Sequence, residues 1–152
     1  MTAVAIIPAR GGSKRIPRKN IRTFHGEPII SYAIRAALQS GVFAEVMVST
    51  DDGEIADVAR ARGAQVPFLR SAANSGDRAT TLDVLVEVLD GYRRLGREFE
   101  TLCCLYPTAV LTRPEALKAG AARLEAEPDA ECVLPVVAYG YPIARALLIR
   151  HG

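Results

Sequence analysis

Short apolar runs alternate along this chain with longer segments in which apolar residues recur every three or four positions. The short runs predict strands, and their bounds are 3–8, 45–49, 65–69, 101–105, 131–137 and 145–150. The periodic segments predict helices, which span about 28–39, 53–62, 80–92 and 114–126. Strands that alternate with helices of this length favour right-handed crossovers and a mainly parallel sheet.

The helix predicted to begin near Thr80 has the clearest apolar stripe. Its members follow a 3.6-residue period, which is typical of the face that a helix packs on a core. They are Leu82, Leu85, Val86, Leu89 and Tyr92. Ligands of mainly parallel sheets bind beyond the carboxyl ends of the strands. Here those ends lead into the loops after Pro8, Ser49, Leu69, Leu105 and Val137.

The composition indicates one globular domain, with 152 residues of which 49% are hydrophobic and 24% charged. A net charge of +2 is too small to indicate a nucleic-acid or membrane partner. The chain shows neither a secretory signal nor an apolar run of about 20 residues, so we expect a cytoplasmic protein. Its three cysteines, two of them adjacent at Cys103 and Cys104, are expected to be buried structural thiols.

The positive charge is concentrated after the first predicted strand. Six cations lie between Arg10 and Arg22, around the glycines Gly11 and Gly12. Glycines let backbone N–H groups approach an anion closely, and Arg and Lys side chains neutralise it. The segment therefore predicts a polyphosphate cradle, with a solvated basic loop or a polyanion-binding patch as the alternative.

This loop matches neither of the two common nucleotide motifs, since it lacks both G-x-x-x-x-G-K-[ST] and G-x-G-x-x-G. Residues 7–20 read Ile-Pro-Ala-Arg-Gly-Gly-Ser-Lys-Arg-Ile-Pro-Arg-Lys-Asn. Further motifs follow in order: Val-Ser-Thr-Asp-Asp at 48–52, Val-Pro-Phe-Leu-Arg at 66–70, and Tyr-Pro-Thr-Ala at 106–109. Together they resemble the acylneuraminate (sialic-acid-type) cytidylyltransferases, and most closely the subgroup that acts on pseudaminic acid.

The resemblance implies a nucleotide-diphospho-sugar transferase fold, which is a Rossmann-like three-layer α/β/α sandwich around a mixed, mostly parallel sheet. It also implies a reaction of CTP with an acidic nine-carbon sugar that yields a CMP-sugar and pyrophosphate, with Mg²⁺ as cofactor. N-acetylneuraminate and legionaminate are the alternative sugars. Family members are longer, so we expect a C-terminally truncated single nucleotidyltransferase domain at 1–152. The family's metal-binding aspartates and its dimerising strand pair belong to the later segment, which leaves the metal ligands and a homodimer unassigned here.

Residue roles are also implied by the resemblance. Arg10 and Lys19 would stabilise charge during catalysis. The nucleotide would be bound by Arg10, Gly11, Gly12, Ser13, Lys19, Asn20, Thr80 and Thr81. The acidic sugar would be bound by Arg70, Asp77, Tyr106, Tyr141 and Arg145.

Several of these residues have simpler interpretations. Asp51 and Asp52 could orient a metal or a ribose, although we favour capping of the following helix. Thr80 could cap its own helix, Arg70 could be a surface residue, and Tyr106 could be a core aromatic. Two further functions stay open for the whole chain. One is a non-catalytic nucleotide-binding protein, and the other is a polyanion-binding module that uses the cluster 10–22.

Overall fold

A computed structural model describes residues 2–138 and 140. The main sheet has three parallel strands in the order β4-β1-β5, which are Glu45–Ser49, Ala3–Pro8 and Thr101–Cys104. A short 3₁₀ helix at Lys19–Ile21 precedes a small antiparallel hairpin of β2 (Thr23–Phe24) and β3 (Glu27–Pro28). The helices are α1 (Ile30–Ser40), α2 (Gly53–Ala61), α3 (Thr81–Arg94) and α4 (Pro114–Ala126).

The central strand β1 divides the core into two layers. Its side chains alternate, so that Ala5 and Ile7 pack with α1 and α2 while Val4 and Ile6 pack with α3. All four of these side chains are fully buried. Helices on both faces of a parallel sheet make the three-layer sandwich, which confirms the predicted fold class.

The layer under α3 is built around Tyr92, which is fully buried. Its ring meets Phe68 and Phe99 edge-to-face, with centroid separations of 5.6 and 5.0 Å. Its hydroxyl donates a hydrogen bond to the Glu45 carboxylate. Burial is the main cause that raises the pKa of Tyr92, so the hydroxyl stays protonated and keeps this bond.

The stripe predicted for α3 is wrong in part. Leu82 and Val86 are 68% and 48% exposed, and the buried face carries Val84, Val88 and Tyr92. Both sets follow the helical period, because α3 is apolar on more than one side. Periodicity therefore located the helix but could not select the face that meets the sheet.

Two predicted strands are absent as strands from the described residues. Segment 65–69 contributes a single parallel bridge, between Gln65 and Met47. Segment 131–137 forms no strand, and Val136 and Val137 are about nine-tenths exposed. A strand needs a partner for its backbone hydrogen bonds, and none of the described residues pairs with this segment. The prediction at 145–150 lies outside the described residues.

Other differences are smaller. The first helix begins at Ile30 rather than near Pro28, because Pro28 pairs with Thr23 in the hairpin. Cys103 and Cys104 are partly buried, and burial is the main cause that raises the pKa of each thiol. Cys132 is exposed, which contradicts the expectation of a buried thiol there.

No helix among the described residues is both long and apolar enough to cross a membrane.

Two helical glycines provide a matched test of the packing under α3. A Cβ on Gly91 would lie 2.4 Å from the Phe68 ring, whereas a Cβ on Gly120 in α4 would meet nothing within 4 Å. We expect Gly91→Ala to lower the free energy of unfolding by about 1–3 kcal/mol, because the clash outweighs the gain in helix propensity. Gly120→Ala should raise it by up to about 1 kcal/mol. Urea unfolding of both variants measures this, and equal effects would contradict the described packing.

Candidate functional site

The basic loop leaves the sheet at its carboxyl edge. Pro8, the last residue of β1, is in register with Ser49 at the end of β4. The pairing continues for one more residue, since Ala9 N donates to Ser49 O at 2.8 Å. The loop 10–20 and the residues after Ser49 therefore start side by side, at the edge where parallel sheets bind ligands.

The carboxylate of Asp51 holds the glycine turn of this loop. Gly11 N donates to Asp51 Oδ1 at 2.9 Å. The close approach of this backbone requires glycine, because a Cβ on Gly11 would lie 2.7 Å from Asp52 Oδ2. Gly12 has no such constraint, since a Cβ there would meet nothing within 4 Å. Of the two glycines in the motif, Gly11 is thus the one that the packing demands.

Asn20 closes the other end of the loop. It is 5% exposed, and its Nδ2 donates to Arg10 O at 2.9 Å. This bond joins the first and last residues of the segment 10–20. Asn20 was predicted to help bind the nucleotide, and the structure shows that its side-chain amide also braces the loop.

Asp52 has two partners. As predicted, it caps a helix: its Oδ1 accepts from Ile55 N at 3.0 Å at the start of α2. The same carboxylate binds the guanidinium of Arg18, a residue in the left-handed backbone region with φ 54°. The hydrogen bond from Arg18 is the main cause that lowers the pKa of Asp52, so the contact stays ionised at neutral pH.

Asp77 reaches the loop from the segment before α3. Its Oδ1 accepts from Arg10 Nη1 at 2.9 Å, and its Oδ2 binds Lys14 Nζ. The hydrogen bond from Lys14, followed by that from Arg10, lowers the pKa of Asp77. Among the described residues, no carboxylate pairs with Lys19. Arg10, Lys14 and Arg18 are therefore bound by carboxylates of the protein, whereas Arg15 and Lys19 have no carboxylate partner among the described residues and remain available to an anion.

Arg70 lies beneath the loop rather than at the surface. It is 9% exposed, its Nε donates to Ser49 Oγ at 3.0 Å, and its Nη2 donates to Ser49 O. Burial is the main cause that lowers its pKa. Because Ser49 O also accepts from Ala9 N, Arg70 stabilises the junction from which the loop departs. Its contact with a sugar stays a prediction.

Thr80 and Thr81 begin α3 at the same edge. Thr80 caps the helix, since its Oγ1 accepts from Asp83 N at 3.2 Å while the Asp83 carboxylate accepts from Thr80 N. Thr81 Oγ1 lies 3.0 Å from the hydroxyl of Tyr106, which follows β5. Tyr106 is 54% exposed and is therefore not a core aromatic. This contact brings together Thr81, which was predicted to bind the nucleotide, and Tyr106, which was predicted to bind the sugar.

Two contacts of the site were not predicted from the sequence. Asp51 was expected to cap a helix or bind a ligand, and instead it holds Gly11 N. Glu87 anchors the segment before α3 by accepting from Ser71 N at 2.6 Å and from Asn74. Both contacts depend on which loops the fold brings together. Tyr141 and Arg145 lie outside the described residues.

The described residues contain no cluster of typical metal ligands. They contain no group of three or more His, Cys, Asp or Glu side chains close enough to hold an ion. The four carboxylates around the loop already accept hydrogen bonds from protein groups: Asp51 from a backbone N–H, Asp52 from Arg18 and Ile55, Glu54 from Arg18, and Asp77 from Arg10 and Lys14. The ligand set for Mg²⁺ thus stays unassigned in the part of the chain that the structure describes.

Comparison with known proteins identifies the family. The sequence model of the cytidylyltransferase family matches residues 4–142, so the chain belongs to that family. A pseudaminic acid cytidylyltransferase of Campylobacter jejuni is 41% identical over all 152 residues, which span 65% of that relative. A CMP-N,N'-diacetyllegionaminic acid synthase of Legionella pneumophila is 41% identical over 118 residues, which are 78% of this chain and 51% of that protein.

A solved structure supports the fold. A CMP:2-keto-3-deoxy-manno-octonic acid synthetase in complex with CTP superposes with a TM-score of 0.71 at 29% sequence identity. The match covers 85% of this chain and 49% of that one. The chain therefore spans between about half and two thirds of the length of these proteins.

Substituting the two glycines of the loop one at a time tests whether the loop needs close backbone packing or only a flexible backbone. We expect Gly11→Ala to lower the affinity for inorganic tripolyphosphate at least about tenfold, because the new Cβ would collide with Asp52 and displace the loop. Gly12→Ala is the control and should change the affinity less than about threefold. Isothermal titration calorimetry measures both, with circular dichroism to confirm folding. Equal losses would contradict the assigned role of Gly11.

Proposed function

We propose that this chain binds CTP through the loop 10–20 and takes part in cytidylyl transfer to an acidic nine-carbon sugar. The observation that carries the proposal is the geometry of the loop, in which clustered cations and a braced glycine turn lie at the carboxyl edge of a parallel sheet. Family membership supports the nucleotide, and the solved relative in complex with CTP supports its identity as CTP.

The proposed reaction needs no covalent enzyme intermediate. The anomeric hydroxyl oxygen of the sugar forms a bond to the α-phosphorus of CTP, while the bond from that phosphorus to the β-phosphate bridging oxygen breaks. The hydroxyl proton passes to a base that the described residues do not identify, and pyrophosphate leaves. Negative charge therefore grows on the β- and γ-phosphates as the transition state forms.

The family resemblance implies that Lys19 stabilises that charge. It is exposed at the end of the loop, and no carboxylate among the described residues neutralises it. Arg10 and Lys14 are bound to Asp77. Fixed cations that meet developing charge lower the barrier without reorganising at the moment of reaction. Mg²⁺ is the expected cofactor, but the described residues supply no ligand set for it, so no step is assigned to the ion.

Pseudaminic acid is the favoured sugar. The relative named for it is matched along the whole of this chain, whereas the legionaminic acid relative is matched over 78%. The hydroxyls of Thr81 and Tyr106 lie side by side at the edge of the site, where they could donate to a sugar. A cytoplasmic location stays a prediction, and the oligomeric state stays unassigned.

A coupled assay for pyrophosphate tests the function. The chain is expected to release pyrophosphate from CTP and Mg²⁺ with pseudaminic acid, and more slowly with N-acetylneuraminic acid. Lys19→Met should lower kcat/KM by about 10²-fold, because one cation that stabilises the leaving group is lost. CTP binding measured in parallel separates loss of affinity from loss of chemistry.

The matched control is Lys118→Met, which removes the same charge from the exposed surface of α4. It should leave both CTP affinity and kcat/KM unchanged. Saturable CTP binding without pyrophosphate release would contradict the enzymatic function and indicate a non-catalytic nucleotide-binding protein. Equal affinity for unrelated polyanions, falling steeply with salt, would favour a polyanion-binding module.

A further inference from the structure

The segment that carries Asp77 is anchored near its start and again at the Thr80 cap of α3, but it has few contacts in between. Near its start, Ser71 and Asn74 bind the carboxylate of Glu87 on α3. From Gly76 to Ala79, the hydrogen bonds found among the described residues all involve the Asp77 carboxylate. A Cβ on Gly76 would meet nothing within 4 Å, and residues 76–78 are exposed. The contact of Asp77 with Arg10 and Lys14 holds this stretch against the basic loop.

The carboxylate of Asp77 contacts the loop as an anionic ligand would. Each of its oxygens binds a different cation, Oδ1 that of Arg10 and Oδ2 that of Lys14. These partners lie 67 and 63 residues away in the sequence. The side chain of Asp77 is 51% exposed, and that of Lys14 is 80% exposed. Solvent and dissolved anions therefore have access to the same two cations.

We propose that Asp77 is a built-in anion that holds Arg10 and Lys14 in the free protein and that a polyphosphate displaces. A phosphate oxygen and a carboxylate oxygen compete for the same N–H donors. Once phosphates occupy the loop, the negative charge of Asp77 beside them is unfavourable, and the exposed stretch 76–78 lets it withdraw. Asp77 thus lowers the affinity of the loop for anions, and a small anion with few oxygens competes with it least well.

This inference rests on the proposed function only in that the same loop binds phosphates. It assigns Asp77 a role different from sugar binding, which the resemblance implied. A carboxylate is a poor partner for the carboxylate of an acidic sugar, since like charges repel. Binding to Arg10 and Lys14 is instead sufficient to explain the position of Asp77.

Titration calorimetry of the whole chain with inorganic tripolyphosphate tests the proposal. Asp77→Asn should raise the affinity about two- to tenfold, since two exposed ion pairs no longer need to be broken. Asp77→Glu keeps the charge and should stay within twofold of the parent. Asp57→Asn is the matched control, because it removes the same charge from an exposed ion pair on α2 and should leave the affinity unchanged.

A combined variant separates direct competition from a general change in charge. In a Lys14→Met background, Asp77→Asn should raise the affinity less, because one of the two contacts is already absent. An equal increase in both backgrounds would overturn the proposal, as would a lower or unchanged affinity in Asp77→Asn. Tripolyphosphate lacks the cytidine of CTP and is not a substrate of the proposed reaction. The outcome therefore does not depend on whether the chain turns over CTP. Tighter binding in a chain that fails to turn over CTP would uphold Asp77 as the internal anion and overturn the proposed function.

Discussion

The parallel pairing of β1 with β4 is the contact on which the candidate site depends. It places Pro8 opposite Ser49 and continues through the hydrogen bond from Ala9 N to Ser49 O. Both strands are buried along most of their length, so the register is fixed by the apolar side chains on the two faces of the sheet. Arg70 adds hydrogen bonds to Ser49 from below. The loops that follow the strands therefore emerge at a defined separation.

That separation allows acidic residues to organise a basic loop. Asp51 holds the N–H of Gly11, Asp52 binds Arg18, and Asp77 binds Arg10. In water, cations this close together would repel and adopt many positions. The carboxylates hold them within one small region and lower the cost of ordering them when a polyphosphate arrives. Asp77 also competes with that polyphosphate for Arg10 and Lys14, so the loop combines preorganisation with a barrier to weak anions.

Features with local signals were predictable from the sequence. The strand 3–8, the cap at Asp52 and the start of α3 at Thr80 each depend on residues within a few positions of one another. Segments 65–69 and 131–137 were predicted as strands from equally good local patterns, yet a strand also requires a partner. The exposed face of α3 was misassigned for a related reason, since its period fits two faces. The contact of Asp77 with Arg10 joins residues 67 positions apart, and no spacing rule reports it.

The most direct test of the site is the position at which CTP binds. Amide chemical shifts of the ¹⁵N-labelled chain, followed during titration with CTP, would map it residue by residue. The largest changes are expected at Gly11, Ser13 and Lys19 in the loop and at Thr81 at the start of α3. Changes confined to the cleft between α1 and α2, around Arg35 and Arg62, with the loop unaffected, would contradict the assignment.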